Sequence, residues 1–162
     1  PIPKRFIKRK YGDNQMNRTY TNKAGSIERK WYVVDAAGIP VGRLAGQVAQ
    51  ILRGKNKPTF EYNQDCGDFV IIINADKVVL TGNKRDELIY WHTGWPGGLR
   101  NVSRGDLLEN DPVKLVSKAV WGMCPKTKLG KALFKKLKVY AGSEHPHEAQ
   151  NPVAYNIKKE GK

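Results

Sequence analysis

Long hydrophobic runs are missing from this 162-residue sequence: the longest strictly apolar stretch, Phe69-Val70-Ile71-Ile72-Ile73, is five residues. A bilayer-spanning helix needs about 20, so the stretch reads as a buried strand and no membrane partner is expected. No apolar segment of signal-peptide length follows the basic N-terminus, so the chain is expected to stay inside the cell. Cysteine is scarce. Cys66 and Cys124 stand 58 positions apart, which in a reducing compartment favours two buried thiols over a disulfide. Acidic residues are the other shortage: 29 Lys+Arg face 15 Asp+Glu, a formal net charge of +14. That excess points to an anionic partner. With 40% hydrophobic residues the chain is outside the disordered class, and a chain of this length buries roughly 70% of its unfolded surface in one core.

The positive charge is unevenly spread. Residues 1 to 30 carry nine basic and two acidic side chains, with Lys4, Arg5, Lys8, Arg9, Lys10 and Arg18 interleaved with Phe6, Tyr11 and Tyr20. No helical or strand period runs through them. The segment reads as an extended basic arm, disordered alone, whose cations meet phosphates and whose rings offer stacking faces; its composition also suits organellar targeting. A second concentration lies between Pro112 and Ser143, where eight lysines occur with no acidic residue. A helix placed over 129 to 138 sets Leu129, Leu133 and Leu137 on one face and Lys128, Lys131, Lys135 and Lys138 on the other. One face meets the core and the other is positioned for phosphate.

Between these segments the pattern alternates. Trp31 to Asp35 reads as a strand, turned by Gly38 and Pro40, and Gly42 to Arg53 repeats apolar residues at helical spacing up to Gly54. Phe69 to Asn74 reads as a central strand covered on both faces. Val78 to Leu80 fits a short strand or a helical turn, and Leu88 to Thr93 a further strand. Asp111 and Pro112 form the cap and first turn of a helix stopped near Gly122. The expected fold is a three-layer α/β/α domain with a small, mostly parallel sheet, plus the basic N-terminal arm.

No catalytic constellation accompanies this scaffold. Gly94-Trp95-Pro96-Gly97-Gly98 does not open into a helix, and Thr81-Gly82-Asn83-Lys84 lacks the first glycine of a phosphate loop. Both read as turns. His145 and His147 with the two cysteines would make four metal ligands, but the cysteines stand alone, so no metal or cofactor is expected. Asp65 and Asp68 fit turn caps or partners of nearby Lys and Arg. No nucleophile elbow occurs.

Several motifs then stand in a recognisable order: Trp31-Tyr32-Val33-Val34-Asp35-Ala36, Gly42-Arg43-Leu44-Ala45, Leu52-Arg53-Gly54-Lys55, Gly67-Asp68-Phe69-Val70, Thr81-Gly82, His92-Thr93-Gly94, Ala119-Val120-Trp121-Gly122-Met123, Lys138-Val139-Tyr140-Ala141-Gly142 and His145-Pro146-His147. From about Trp31 to Pro152 the chain resembles the bacterial large ribosomal subunit protein thirteen family. The resemblance implies an α/β/α fold, large-subunit ribosomal RNA as the principal ligand, neighbouring large-subunit ribosomal proteins as partners, a role early in subunit assembly in the cytoplasmic ribosome, and no catalysis or small-molecule substrate. It divides the chain into an arm at 1–30, a ribosomal-protein domain at 31–152 and a tail at 153–162. Two departures from the family stand out: the length of the arm, and Trp121 and Cys124 where bacterial relatives more often carry Lys and Leu.

The expected RNA contacts are therefore the arm cations, Arg43, Arg53, Lys55 and Lys57 around the first helix, Lys84, Arg85 and Arg100 in loops, and Lys126 with the late-helix lysines. His92, Trp95, His145 and His147 are expected to stack, hydrogen-bond or close their own loops. The competing readings are an RNA-modifying or metal-dependent hydrolytic enzyme built on His145, His147 and Asp65 or Asp68, and a basic factor that visits ribosomes without residing in them.

Overall fold

The computed structural model describes Asn22 and residues 27–157. The order of elements is β1 (Trp31–Asp35), α1 (Val41–Arg53), β2 (Phe69–Ile73), β3 (Leu88–His92), β4 (Leu99–Ser103), α2 (Arg104–Asn110), α3 (Pro112–Met123), α4 (Lys128–Phe134), β5 (Leu137–Val139) and β6 (Val153–Ala154). Strands β5, β2, β1 and β6 lie side by side in that order, every neighbouring pair parallel. The α/β class and the parallel sheet match the expectation from sequence. As a central strand, β2 buries Val70, Ile71 and Ile72 completely, which is what its unbroken apolar run requires.

Helices cover one face of this sheet. Leu44, Ala45, Val48, Ala49 and Leu52 form the stripe of α1, which packs with Val34, Val70 and Ile72 of the sheet and with Val116 and Val120 of α3. Each fully buried Leu or Val contributes about 1.5–3 kcal/mol, so this cluster, and not surface pairing, carries the stability. Gly54 ends α1 at φ +76°, and a Cβ there would stand 2.6 Å from the Cys66 carbonyl oxygen. At the start of α3 the Asp111 carboxylate accepts from the Lys114 N–H at 3.1 Å, with Pro112 in the first turn.

The third layer is thin. Residues partnered across a parallel pair share a face, so Trp31, Val33, Phe69 and Ile71 point away from α1. The crossover from β5 to β6, whose one regular piece is the 3-10 turn Glu148–Gln150, reaches this face at Trp31. Trp31 stacks on Phe69 with centroids 4.3 Å apart, and the His147 ring lies 5.4 Å from Trp31.

Four places depart from the sequence reading. Leu88–His92 pairs not with the main sheet but antiparallel with Leu99–Ser103, a strand the sequence reading missed, to form a separate hairpin. The short α2 was also missed, although Ser103 accepts from the Asp106 N–H at 2.9 Å as its cap. The late helix ends at Phe134, because Leu137 and Val139 are drawn into parallel pairing with Val70 and Ile72. Leucines spaced four apart serve a helix and a following strand equally, so the proposed stripe loses Lys138, which lies on β5 facing away from the helical layer. Finally, Val153–Ala154, read as tail, joins β1; the Tyr155 N–H donates to the Val33 carbonyl at 2.8 Å and Ile157 is buried.

The arm cations Lys4, Arg5, Lys8, Arg9, Lys10 and Arg18 lie outside the described residues. The described part of residues 1–30 is fastened to the body. Asn22 is buried, receives a bond from Gln64 Nε2 at 2.6 Å and donates its N–H to Glu61 at 2.8 Å.

Candidate nucleic-acid interface

The cations divide into those engaged inside the protein and those presented to solvent. Lys57 belongs to the first group: its Nζ lies 2.6 Å from Oδ1 of the fully buried Asp68 and donates to the Glu28 carbonyl at 2.8 Å. The same Asp68 oxygen accepts from the Lys30 N–H at 2.9 Å. Lys136 is likewise buried, bonded to Asp65 and to the Gly67 carbonyl at 2.9 Å. Burial pulls its pKa below the ordinary lysine value of 10.5, opposed by the bond to Asp65. Arg29 approaches the other Asp65 oxygen at 3.7 Å. Asp65 and Asp68 thus clamp residues 28–30, the 55–68 loop and the entrance of β5, and their lysine partners are structural. Lys57 is withdrawn from the expected RNA contacts for that reason.

The exposed cations gather around Trp121. Its ring meets Phe134 edge-on at 5.2 Å and carries the Lys126 ammonium 4.4 Å from its centroid, while Lys126 Nζ also donates to the Trp121 carbonyl at 2.5 Å. Lys118, Lys131 and Lys135 line the same shallow depression with Ser117, Trp121 and Phe134. Position 121 thus holds an aromatic ring among four lysines. Next to it, the end of α1 faces the start of α4 across a crevice of about 180 Å3 lined by Arg53, Phe60, Tyr62, Pro125 and Thr127. Arg53 lies 6.0 Å from the Phe60 centroid, and Tyr62 is exposed. Cys124 connects the two areas: burial pushes its thiol pKa up, while Lys126 and Arg53 both pull it down. Lys55, two residues past Arg53, and Lys128, next to Thr127, are exposed. Cations interleaved with rings suit phosphates flanked by base or sugar faces.

The remaining candidates are separate from this surface or engaged locally. Arg43 is exposed on α1 and Lys84 in the 3-10 turn Gly82–Arg85, where Arg85 pairs with Glu109 at 3.3 Å. Arg100 and Trp95 belong to the hairpin, and His92 Nδ1 accepts the Gly94 N–H at 2.9 Å. His147 Nε2 bonds the Tyr140 hydroxyl at 2.8 Å, and His145 Nδ1 accepts the His147 N–H at 3.3 Å. These histidines close loops over Trp31. Both cysteines are free and buried, and no group of three His, Cys, Asp or Glu suited to a metal occurs among the described residues. No helix among them is long and apolar enough to cross a membrane.

The sequence profile of the family described as "Ribosomal protein L13" matches residues 29–146. The large ribosomal subunit protein uL13 of Saccharopolyspora erythraea is 55% identical over 141 residues, 86% of this chain and 95% of that protein. Its counterparts in Rhodococcus opacus and Nocardia farcinica are 57% and 58% identical over 142 residues, 87% of this chain and 97% of each. The chain belongs to the ribosomal protein L13 family. The family match takes in β1, β2 and β5 of the parallel sheet, the hairpin and the lysine-ringed Trp121. In this L13-family chain the sequence reading missed Lys118, Tyr62, Tyr90 and Trp91 as exposed candidates. Lys118 had a signal, since it stands three residues before Trp121 on one helix face; Tyr62 and the two hairpin rings had none before the strand pairing was known.

Proposed function

We propose that this protein is a structural constituent of the large ribosomal subunit, binding and stabilising its ribosomal RNA and acting early in subunit assembly in the cytoplasmic ribosome. It is not an enzyme. The observation that carries the reading is family membership at 55% identity or more over at least 86% of the chain, and the ring of exposed lysines around Trp121 supports it physically. In this reading Arg53, Lys55, Lys126, Lys128, Lys131 and Lys135 hold phosphates on one face. Arg43, Lys84, Arg85, Arg100 and the arm cations Lys4, Arg5, Lys8, Arg9, Lys10 and Arg18 contact further RNA, and neighbouring large-subunit proteins complete the setting. The chain then divides into an arm at 1–30, a body from 31 that includes Val153 and Ala154, which pair in its sheet, and a C-terminal segment beyond them.

Folded α/β faces hold cations rigidly, so phosphate contact costs little ordering, and binding should fall with salt by roughly 0.7 to 0.9 log units per log unit of salt for each phosphate neutralised. The test is sedimentation of the tagged full chain through a sucrose gradient at high salt. Unit stoichiometry with the large subunit is expected; release at moderate salt would identify a visiting factor instead.

A further inference from the structure

The β3–β4 hairpin keeps three large rings out of the core. Trp95 is 76% exposed, Tyr90 57% and Trp91 46%. Rings of this size ordinarily dominate cores and interfaces, so a cluster left in solvent marks a contact surface. Trp95 is not exposed because its loop is loose. The Thr93 N–H donates to the Gly98 carbonyl at 3.0 Å and the Gly98 N–H to the Trp95 carbonyl at 2.9 Å, and Gly94 and Gly97 adopt φ of +93° and +70°. A Cβ on Gly98 would run into the Thr93 side chain. The backbone is thus fixed while the ring it carries gains no burial, and a rigid ring pays little further entropy when a partner covers it.

The charge around these rings selects the partner. No acidic residue stands between Leu88 and Ser103, and the register sets Arg100 directly opposite Trp91, hence on the same face. A ring beside a guanidinium that has no carboxylate partner among the described residues matches a nucleotide, which offers a π face next to a phosphate. Paired RNA hides its base faces in the stack, whereas loops and bulges present them.

We propose that the hairpin is a stacking platform for unpaired nucleotides of large-subunit ribosomal RNA, with Trp95 and Trp91 supplying ring faces and Arg100, on the face of Trp91, the counter-charge for an adjoining phosphate. This rests on the reading of the chain as a large-subunit constituent and specifies the chemistry of one of its contacts: base faces, where the Trp121 surface takes phosphates.

The test uses the full chain and protein-free large-subunit ribosomal RNA. Trp95→Ala should weaken binding by about tenfold or more, Trp95→Phe by no more than about threefold, and neither should alter the salt slope, since no phosphate contact is removed. Thermal melting should be unchanged in both. Short-wave ultraviolet crosslinking should leave nucleotide adducts on the peptide carrying Tyr90, Trp91 and Trp95. The proposal is overturned if Trp95→Ala binds like the unaltered chain, or if the adducts form only elsewhere. It is equally overturned if Trp95→Ala binds naked RNA normally but loses neighbouring proteins in assembled subunits, which would make the hairpin a protein contact. Failure of the unaltered chain to bind the RNA at all would overturn the ribosomal reading together with it.

Discussion

Removing Asp65 strands a buried ammonium, and the size of the loss can be worked from the geometry. The Lys136 side chain is 6% exposed and its carboxylate partner 22% exposed, so neither is well screened. In Asp65→Ala, Lys136 keeps only the Gly67 carbonyl at 2.9 Å. Breaking a buried pair from one side costs about 3–5 kcal/mol, and the partial exposure of Asp65 places this case near 3. In Lys136→Met the stem volume is kept, and Asp65 retains the Gly67 N–H at 3.2 Å and Arg29 at 3.7 Å, so the loss is nearer to about 1 kcal/mol. With both groups replaced, no charge is left uncompensated, and the double variant should be more stable than Asp65→Ala alone. For a chain of this size each kcal/mol moves the melting midpoint by about 2–4 °C. Calorimetry should therefore find a drop of about 6–12 °C for Asp65→Ala, largely recovered in the double variant. A drop under about 2 °C for Asp65→Ala, or a double variant as unstable as the two singles summed, would refute the clamp.

The same pair makes stability depend on pH: Lys136 has a folded pKa below its unfolded value of 10.5, so the unfolded state binds the proton more tightly and stability rises as pH climbs through the folded pKa toward 10.5. Denaturant titrations should show the unaltered chain gaining on Lys136→Met across that alkaline window; a gap that stays constant contradicts it. Lys131→Ala and Lys135→Ala should each lower the salt slope of RNA binding by roughly 0.7 to 0.9 with unchanged melting. Lys57→Ala should do the reverse, leaving the slope alone and costing about 3 kcal/mol, because the fully buried Asp68 loses its counter-charge. Gly67→Ala puts a Cβ into the Leu52 carbonyl oxygen and should lower the melting midpoint by about 6 °C or more, at roughly 3 kcal/mol for a forced backbone shift; a soluble variant melting like the parent would show that the β2 entrance yields more easily than drawn.

What the sequence disclosed followed from local chemistry. The β1 and β2 runs, the α1 stripe ending at Gly54 and the Asp111-Pro112 cap depend on neighbours within a few residues, and each stands where periodicity and capping put it. The late helix failed because the decisive contact is remote: Leu137 pairs with Val70, and leucines four apart cannot distinguish a third helical turn from a strand. The cations follow the same rule. Their number was plain, but whether a lysine meets solvent, a ring or a carboxylate is decided by what the fold brings up to it. Lys136 reaches Asp65 across 71 positions, and Lys57 reaches Asp68 across 11; nothing near either lysine in the chain separates it from Lys131 or Lys135, which remain outside. An ammonium taken inward must be paired to be tolerated, so the two carboxylates that the sequence offered as possible catalysts are the reason two lysines are lost to RNA. The count of 29 Lys+Arg therefore overstates the cations available for phosphate, whereas the net +14, from which the carboxylates are already subtracted, is untouched by this pairing. The interface we propose is the subset that the Asp65 and Asp68 clamp leaves outside, gathered around a tryptophan.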